Sequence, residues 1–441
     1  MSDLLIKNGR VVFPQGVLKV DIHVENGKIA AFGKDLKKAG VETVDADGML
    51  VFPGFVDEHV HFREPGYENK EDFFTGSMAA AAGGVTTVLE MPNTYPPVAS
   101  KTELNRKAEI IRNRSFVDYG LYGVLVDDNV GELAEMFEAG AVGFKAFLGP
   151  TTGDIASPSD PAIIEALEIS RSHGFTIAFH CENRALVHHY EKKARNQPIT
   201  PLTHLNSRPA ICEVDSVMKI NYYAGKTGGN ALIVHLSSGE SAEYLRRNKA
   251  PSVAVETCPQ YLLLDSRSYE KFGAFVKVNP PIRNPEDRER LLQGIREGTI
   301  TNVGSDHAPH TPEEKSRNMF EAPAGMLGVE TMGPLMVDAA LRGLFPVEKV
   351  AEILSTNPAK TFGLYPKKGA LTIGADADFA VFDPRQQTKI DASKLHSKHK
   401  FTPFDGTVLA ASLRYTILRG KIVFHDGELE KKPSGEMLKR Q

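Results

Sequence analysis

His59 and His61 stand two residues apart in Phe55-Val-Asp-Glu-His-Val-His-Phe-Arg-Glu-Pro-Gly66, a stretch that opens as a buried strand. Side chains at i and i+2 of a strand share a face. Both imidazoles therefore turn to one side, where neutral ring nitrogens can bind one metal ion. Later apolar runs end in residues of similar capability: Asn93 after Thr86–Met91, Lys145 within Val142–Leu148, His180 closing Thr176–His180, His235 within Leu232–Leu236, and Asp306 after Thr301–Gly304. Histidine and aspartate are ordinary metal ligands, and Lys145 is the odd member of the set.

A lysine on a buried strand can snorkel to the surface or pair with a carboxylate. Beside two cations its amine becomes neutral and nucleophilic. It can then add CO2 to form a carbamate, an anion able to bridge metals ~3.5–4 Å apart. Asp306, in Gly-Ser-Asp-His-Ala-Pro-His, can be a ligand, a proton carrier or a helix cap. The following Thr311-Pro-Glu-Glu is itself a capping-box pattern, which favours the catalytic role. If strand geometry continues past His61, Arg63 shares the histidine face and can grip a substrate carboxylate bidentately. The competing use of Arg63 is an ion pair with Glu64 or Glu68.

Eight strand-like runs place these groups: Phe55–His61, Thr86–Met91, Asp118–Val124, Val142–Leu148, Thr176–His180, Leu232–Leu236, Val253–Thr257 and Thr301–Gly304. Helical patterns such as Lys70–Ala82, Pro161–Ser172 and Ser241–Arg247 lie between them. Alternation of this kind means βαβ units and a parallel sheet, and eight units make a (β/α)8 TIM barrel, whose chemistry sits at the C-terminal strand ends. The third and seventh runs offer no candidate ligand. An open doubly wound sheet lacks a glycine fingerprint after the first strand. The α/β barrel is expected over 53–365. A small β-sandwich domain is expected from both chain ends, 1–52 and 366–441, where short strands alternate with Asn8-Gly9, Asn26-Gly27, Asp47-Gly48 and Asp426-Gly427 turns. The charged tail from Leu429 is expected to fray.

The chain has 441 residues, 41% hydrophobic and 24% charged, as in ordinary soluble globular proteins of more than one domain. A net charge of −4 without basic blocks argues against a nucleic-acid surface. No apolar run approaches the ~20 residues a bilayer needs. The opening Met-Ser-Asp-Leu-Leu-Ile-Lys has no leader-like apolar core. Cys181, Cys212 and Cys258 are odd in number and unpaired in spacing, which fits the cytoplasm; Cys181 and Cys258 read as buried packing rather than nucleophiles.

Taken together, these residues resemble the amidohydrolase superfamily, in its cyclic-amide branch of dihydroorotases, allantoinases and hydantoinases. The marks are His-Val-His at 59–61, Gly-Phe-Lys-Ala-Phe at 143–147, Phe-His-Cys-Glu at 179–182, His-Leu-Ser at 235–237, Glu-Thr-Cys-Pro at 256–259 and Ser-Asp-His at 305–307. The resemblance implies two divalent metal ions, expected to be zinc. His59, His61, carboxylated Lys145 and Asp306 would hold one, and Lys145, His180 and His235 the other. Asp306 would also be catalytic.

His-Phe-Arg-Glu-Pro-Gly at 61–66 and Phe-Thr-Pro-Phe-Asp-Gly at 401–406 look like the dihydroorotase form. The resemblance assigns substrate binding to Arg63, Asn93, Asn279, His310 and the Ala324-Gly325 backbone. Two stretches depart. Gly149-Pro-Thr-Thr-Gly153 lacks an Asp-Asp-Gly signature, and the span His180–Arg208 looks closer to allantoinases. The implied reaction is reversible hydrolysis of dihydroorotate to N-carbamoyl-L-aspartate in pyrimidine synthesis. An allantoinase or hydantoinase is the alternative, and a non-catalytic scaffold the third reading, disfavoured because all six ligands are present. A homodimer or homotetramer and association with aspartate transcarbamoylase are implied with it.

Overall fold

Runs such as Val85–Glu90 and Ala141–Phe147 are buried along their whole length, the pattern of parallel strands covered on both faces. In a computed structural model, which describes residues 3–151, 153 and 155–438, these runs form one eight-stranded parallel sheet. Its strands are β1 (Phe55–Val60), β2 (Val85–Glu90), β3 (Asp118–Val124), β4 (Ala141–Phe147), β5 (Thr176–His180), β6 (Asn230–Ile233), β7 (Val253–Thr257) and β8 (Asn302–Val303). They neighbour one another in chain order. A Val60–His307 bridge and a 2.8 Å bond from His61 N–H to His307 O join the ends, so the sheet is a closed barrel. Helices including Phe73–Ala82, Asp160–His173 and Gly239–Asn248 separate the strands. Asp72, Ser159 and Ser238 cap those three by accepting backbone N–H bonds.

Segments from both chain ends build a second, β-rich unit. Leu50–Pro53 pairs antiparallel with Phe379–Asp383 and parallel with Arg10–Phe13 inside a seven-stranded sheet. A four-stranded sheet of Lys28–Gly33, Asp21–Glu25, Leu4–Lys7 and Glu42–Asp45 packs on it through Ile6, Ile22, Val51, Phe379 and Val381. Each such burial contributes roughly 1.5–3 kcal/mol.

The expected fraying from Leu429 is not seen. Glu428–Leu429 is a strand, and Gly435 and Leu438 donate backbone N–H bonds to Ser115 and Tyr119 carbonyls of the barrel. Tyr119 returns one to Glu436, so unpaired backbone groups at the start of β3 are satisfied by the tail. Met1, Ser2, Thr152, Asp154 and the last three residues lie outside the described residues, so the opening residues and part of Gly149–Gly153 are not compared with expectation.

A buried lysine joins the two units. Lys368 Nζ lies 2.5 Å from Asp118 at the start of β3, and 2.8 and 3.0 Å from Asp378 and Asp376 of the β unit. Burial opposes its charge, but Asp378, Asp118 and Asp376 outweigh that and hold the ammonium above its ordinary pKa. Lys368→Met would leave the buried Asp378 without its cation and take one cation from Asp118 and Asp376, which keep Arg419 and Lys28. We expect a loss of about 3–5 kcal/mol, read as a fall in the urea midpoint; a change under about 1 kcal/mol would mean the cluster is not a joint.

Among the described residues, no helix is long and apolar enough to cross a membrane.

Candidate metal centre and substrate pocket

Barrel closure brings the C-terminal strand ends to one rim. There a cavity of about 330 Å³ is lined by His59, His61, Lys145, His180, His235 and Asp306. The Nε2 atoms of His59 and His61 each lie 3.4 Å from Asp306 Oδ1. The ligand atoms of these three residues fall within 4.8 Å of one another. His180 Nδ1 and His235 Nε2 are 3.0 Å apart.

The far ring nitrogens fix which lone pairs face inward. His59 Nδ1 donates to Glu256 Oε1 at 2.9 Å, His61 Nδ1 to Asn93 Oδ1 at 2.7 Å, and His180 Nε2 to Glu182 Oε2 at 3.0 Å. Partners of this kind set tautomer and orientation in metal sites. Burial, then the nearby Lys145 charge, pushes His59 down to about 3, and burial takes His61 and His235 well below the usual histidine range. The rings are therefore neutral, with lone pairs converging on one region.

Lys145 Nζ is fully buried and has no hydrogen-bond partner; it lies 5.2 Å from the Phe147 ring centre. Burial lowers its pKa to about 8. An isolated buried ammonium is costly. A divalent pair with a lysine carbamate would relieve it and would take the inward nitrogens of His180 and His235 as ligands. The donor set fits the metal chemistry expected from the sequence.

Local backbone differs from the strand picture in three places. β1 stops at Val60, and Arg63 reaches the cavity from a left-handed turn at φ 65° rather than by strand alternation. Just before the turn, Val60 O accepts from Met91 N–H on the β2 side and His61 N–H donates to His307 O on the β8 side. β6 stops at Ile233 and β8 at Val303, so His235 and Asp306 stand past the strands, at φ 43° and 46°. Non-glycine residues hold such conformations only where surroundings over-determine them; His235 N–H donates to Glu256 Oε1 at 3.0 Å. Gly304, just after β8, gives the Glu256 carboxylate its space, since a Cβ there would meet it at 2.9 Å.

The predicted substrate-binding residues divide. Arg63, Asn93, Asn279, Ala324 and Gly325 line the cavity, and His310 does not. His310 lies one layer behind, with Nε2 3.1 Å from Ala324 O and 3.4 Å from Arg63 Nη2. Gly325 N–H is already engaged, donating to Lys277 O at 2.9 Å. Neither expected ion pair of Arg63 forms: Glu64 pairs with Arg114, and Glu68 accepts from Gly66 N–H. Arg63 Nε donates to Pro309 O at 3.3 Å, and Nη1 is buried without a partner.

Several wall residues carried no readable signal. Lys277 Nζ donates to the carbonyls of Met319 and Ala322, and Lys315 Nζ to those of Lys277, Pro323 and Gly325. Among the described residues neither lysine has a carboxylate within ion-pair distance. Together they fix the 319–325 wall through its carbonyls. Glu191, His204 and Arg208 also line the cavity. The seventh run, read as lacking a ligand, supplies Glu256; its Glu-Thr-Cys-Pro motif was the available sign.

Glu256→Gln keeps the size and replaces the carboxyl group behind His59, which burial pushes up to about 8, with an amide. We expect metal affinity to fall roughly 10–100-fold, measured by chelator competition; unchanged affinity would dismiss Glu256 as a tuning residue.

A family model described as "Amidohydrolase family" matches residues 50–423. The dihydroorotase of Methanosarcina acetivorans is 36% identical over 450 residues, covering 99% of this chain and 96% of the relative. The allantoinase of Deinococcus radiodurans is 35% identical over 445 residues, covering 99% and 98%. The solved L-hydantoinase (dihydropyrimidinase) of Arthrobacter aurescens superposes with a TM-score of 0.96 at 33% identity, covering all of both chains.

Proposed function

This chain belongs to the amidohydrolase family, and within its cyclic-amide chemistry we propose that it is a dihydroorotase, opening dihydroorotate to N-carbamoyl-L-aspartate and closing it in reverse. The observation that carries the reading is Arg63: a buried guanidinium on the cavity wall, with Nη1 unpartnered and no carboxylate paired to it among the described residues. Burial lowers its pKa only to about 10, so it stays charged. A buried cation needs a counter-charge, and a ring substrate with its own carboxylate supplies one.

His59, His61, Lys145 as its carbamate and Asp306 would hold one divalent ion, with Lys145, His180 and His235 holding a second. When bound, such ions polarise the amide carbonyl and acidify water toward neutral pH. The chain's own residues do the rest. Arg63 takes the substrate carboxylate in a two-pronged grip, with Asn93 and Asn279 beside it. The Ala324 carbonyl and the lysine-fixed wall behind it limit how the ring can lie. An Asp306 carboxylate oxygen takes a proton from the attacking water and returns it to the departing ring nitrogen, as general base and then general acid.

Allantoin is the second reading, favoured by one feature. Glu191, His204 and Arg208, which form part of the wall, come from the stretch that looks closer to allantoinases. Purified, metal-loaded protein offered dihydroorotate, allantoin and hydantoin decides between them. We expect kcat/KM for dihydroorotate to lead by at least about tenfold; a lead for either ring without a carboxylate would overturn the assignment.

A further inference from the structure

His310 is buried between two cations and a carboxylate. Lys70 Nζ is 3.1 Å from its Nδ1, Arg63 Nη2 is 3.4 Å from its Nε2, and Glu314 Oε2 is 3.5 Å from Nδ1. Lys70 also pairs with Glu314 at 2.9 Å. A neutral imidazole has one N–H and one lone pair, so these contacts cannot all be hydrogen bonds. If Nδ1 carried the proton, its partners would be Glu314 at 3.5 Å and Arg63 at 3.4 Å, both long. If Nε2 carries it, Lys70 donates to Nδ1 at 3.1 Å and Nε2 donates to Ala324 O at 3.1 Å. The second arrangement has the better geometry.

We infer that Lys70 is a positioning residue: by donating to His310 Nδ1 it locks the Nε2–H tautomer, which holds the Ala324 carbonyl and, offering Arg63 Nη2 no lone pair, leaves the guanidinium to the cavity. The charged and titratable groups facing His310 are Arg63, Lys70, Glu314 and Lys315, with His399 beside them. Burial pushes His310 down to about 3, so a neutral ring stands beside Arg63 rather than a second cation. The loop bearing Lys70 is itself held from the C-terminal segment: Lys398 pairs with Asp72 at 2.6 Å and His399 Nε2 donates to Asn69 O at 3.0 Å.

The inference rests on reading the cavity as the substrate pocket, and its test runs on whichever ring the wild-type enzyme turns over best. A wrong ring assignment is thus read from the wild type, and a wrong inference from the variants. In a double-mutant cycle, Lys70→Met is expected to lower kcat/KM roughly ten- to a hundredfold, mostly through KM. In a His310→Ala background the same change should cost less than about threefold. Lys70→Arg, which keeps a charged donor, should stay within about threefold of wild type. Additive losses in the cycle, or a Lys70→Met loss confined to kcat, would overturn the inference. Should Lys70→Met fail to fold, Lys70→Gln carries the same cycle with the same two outcomes.

Discussion

Lys145→Met is expected to lower metal content from two ions per chain to one or fewer and to cut turnover by at least about 10³-fold. The side chain is fully buried, and its Nζ has no partner. A snorkelling lysine would end in solvent or on a carboxylate, and this one ends among histidines beneath the Phe147 ring. With burial bringing its pKa to about 8, a fraction of the amine is neutral near neutral pH and free to add CO2. Methionine keeps the length and apolar stem, so packing loss is small. Elemental analysis and turnover on one preparation check this. Stripped wild-type protein should also regain less metal in CO2-free buffer than with bicarbonate. Two tightly held ions in Lys145→Met would remove the carbamate from the scheme.

Arg63→Met is expected to reduce kcat/KM for dihydroorotate by about 10²–10³-fold, because losing a charge-assisted, desolvated contact costs roughly 2–5 kcal/mol. Rings without a carboxylate should change by less than about threefold. The difference arises from Arg63 having no internal partner of opposite charge: Glu64 and Glu68 are engaged elsewhere, and Nη1 faces no acceptor. The substitution would leave Lys277 and Arg208 as the cationic side chains lining the cavity, the first tied to backbone carbonyls and the second to Glu182. The loss should therefore appear mainly in KM. Equal losses on carboxylated and uncarboxylated rings would show that Arg63 shapes the pocket without reading charge.

The sequence by itself determined the barrel and the candidate metal-ligating residues at its rim. Parallel strands buried on both faces are written as apolar runs, and Asp118–Val124, Thr176–His180 and Val253–Thr257 have the expected bounds. Histidines and an aspartate at successive run ends are a local signal, since strand ends in a closed barrel share one rim. Tertiary structure decided everything that depends on distant chain meeting at that rim. Glu256 supports His59 across 197 positions, and His310 meets Lys70 across 240; no periodicity encodes such pairs. It set Arg63 on a left-handed turn, where strand alternation predicts the right side for a reason that does not apply. It also withdrew His310 behind Ala324 and fastened the charged tail to β3. Periodicity reports how each segment is buried. Which side chains then face one another is fixed only when the barrel closes and every buried polar atom has to find a partner.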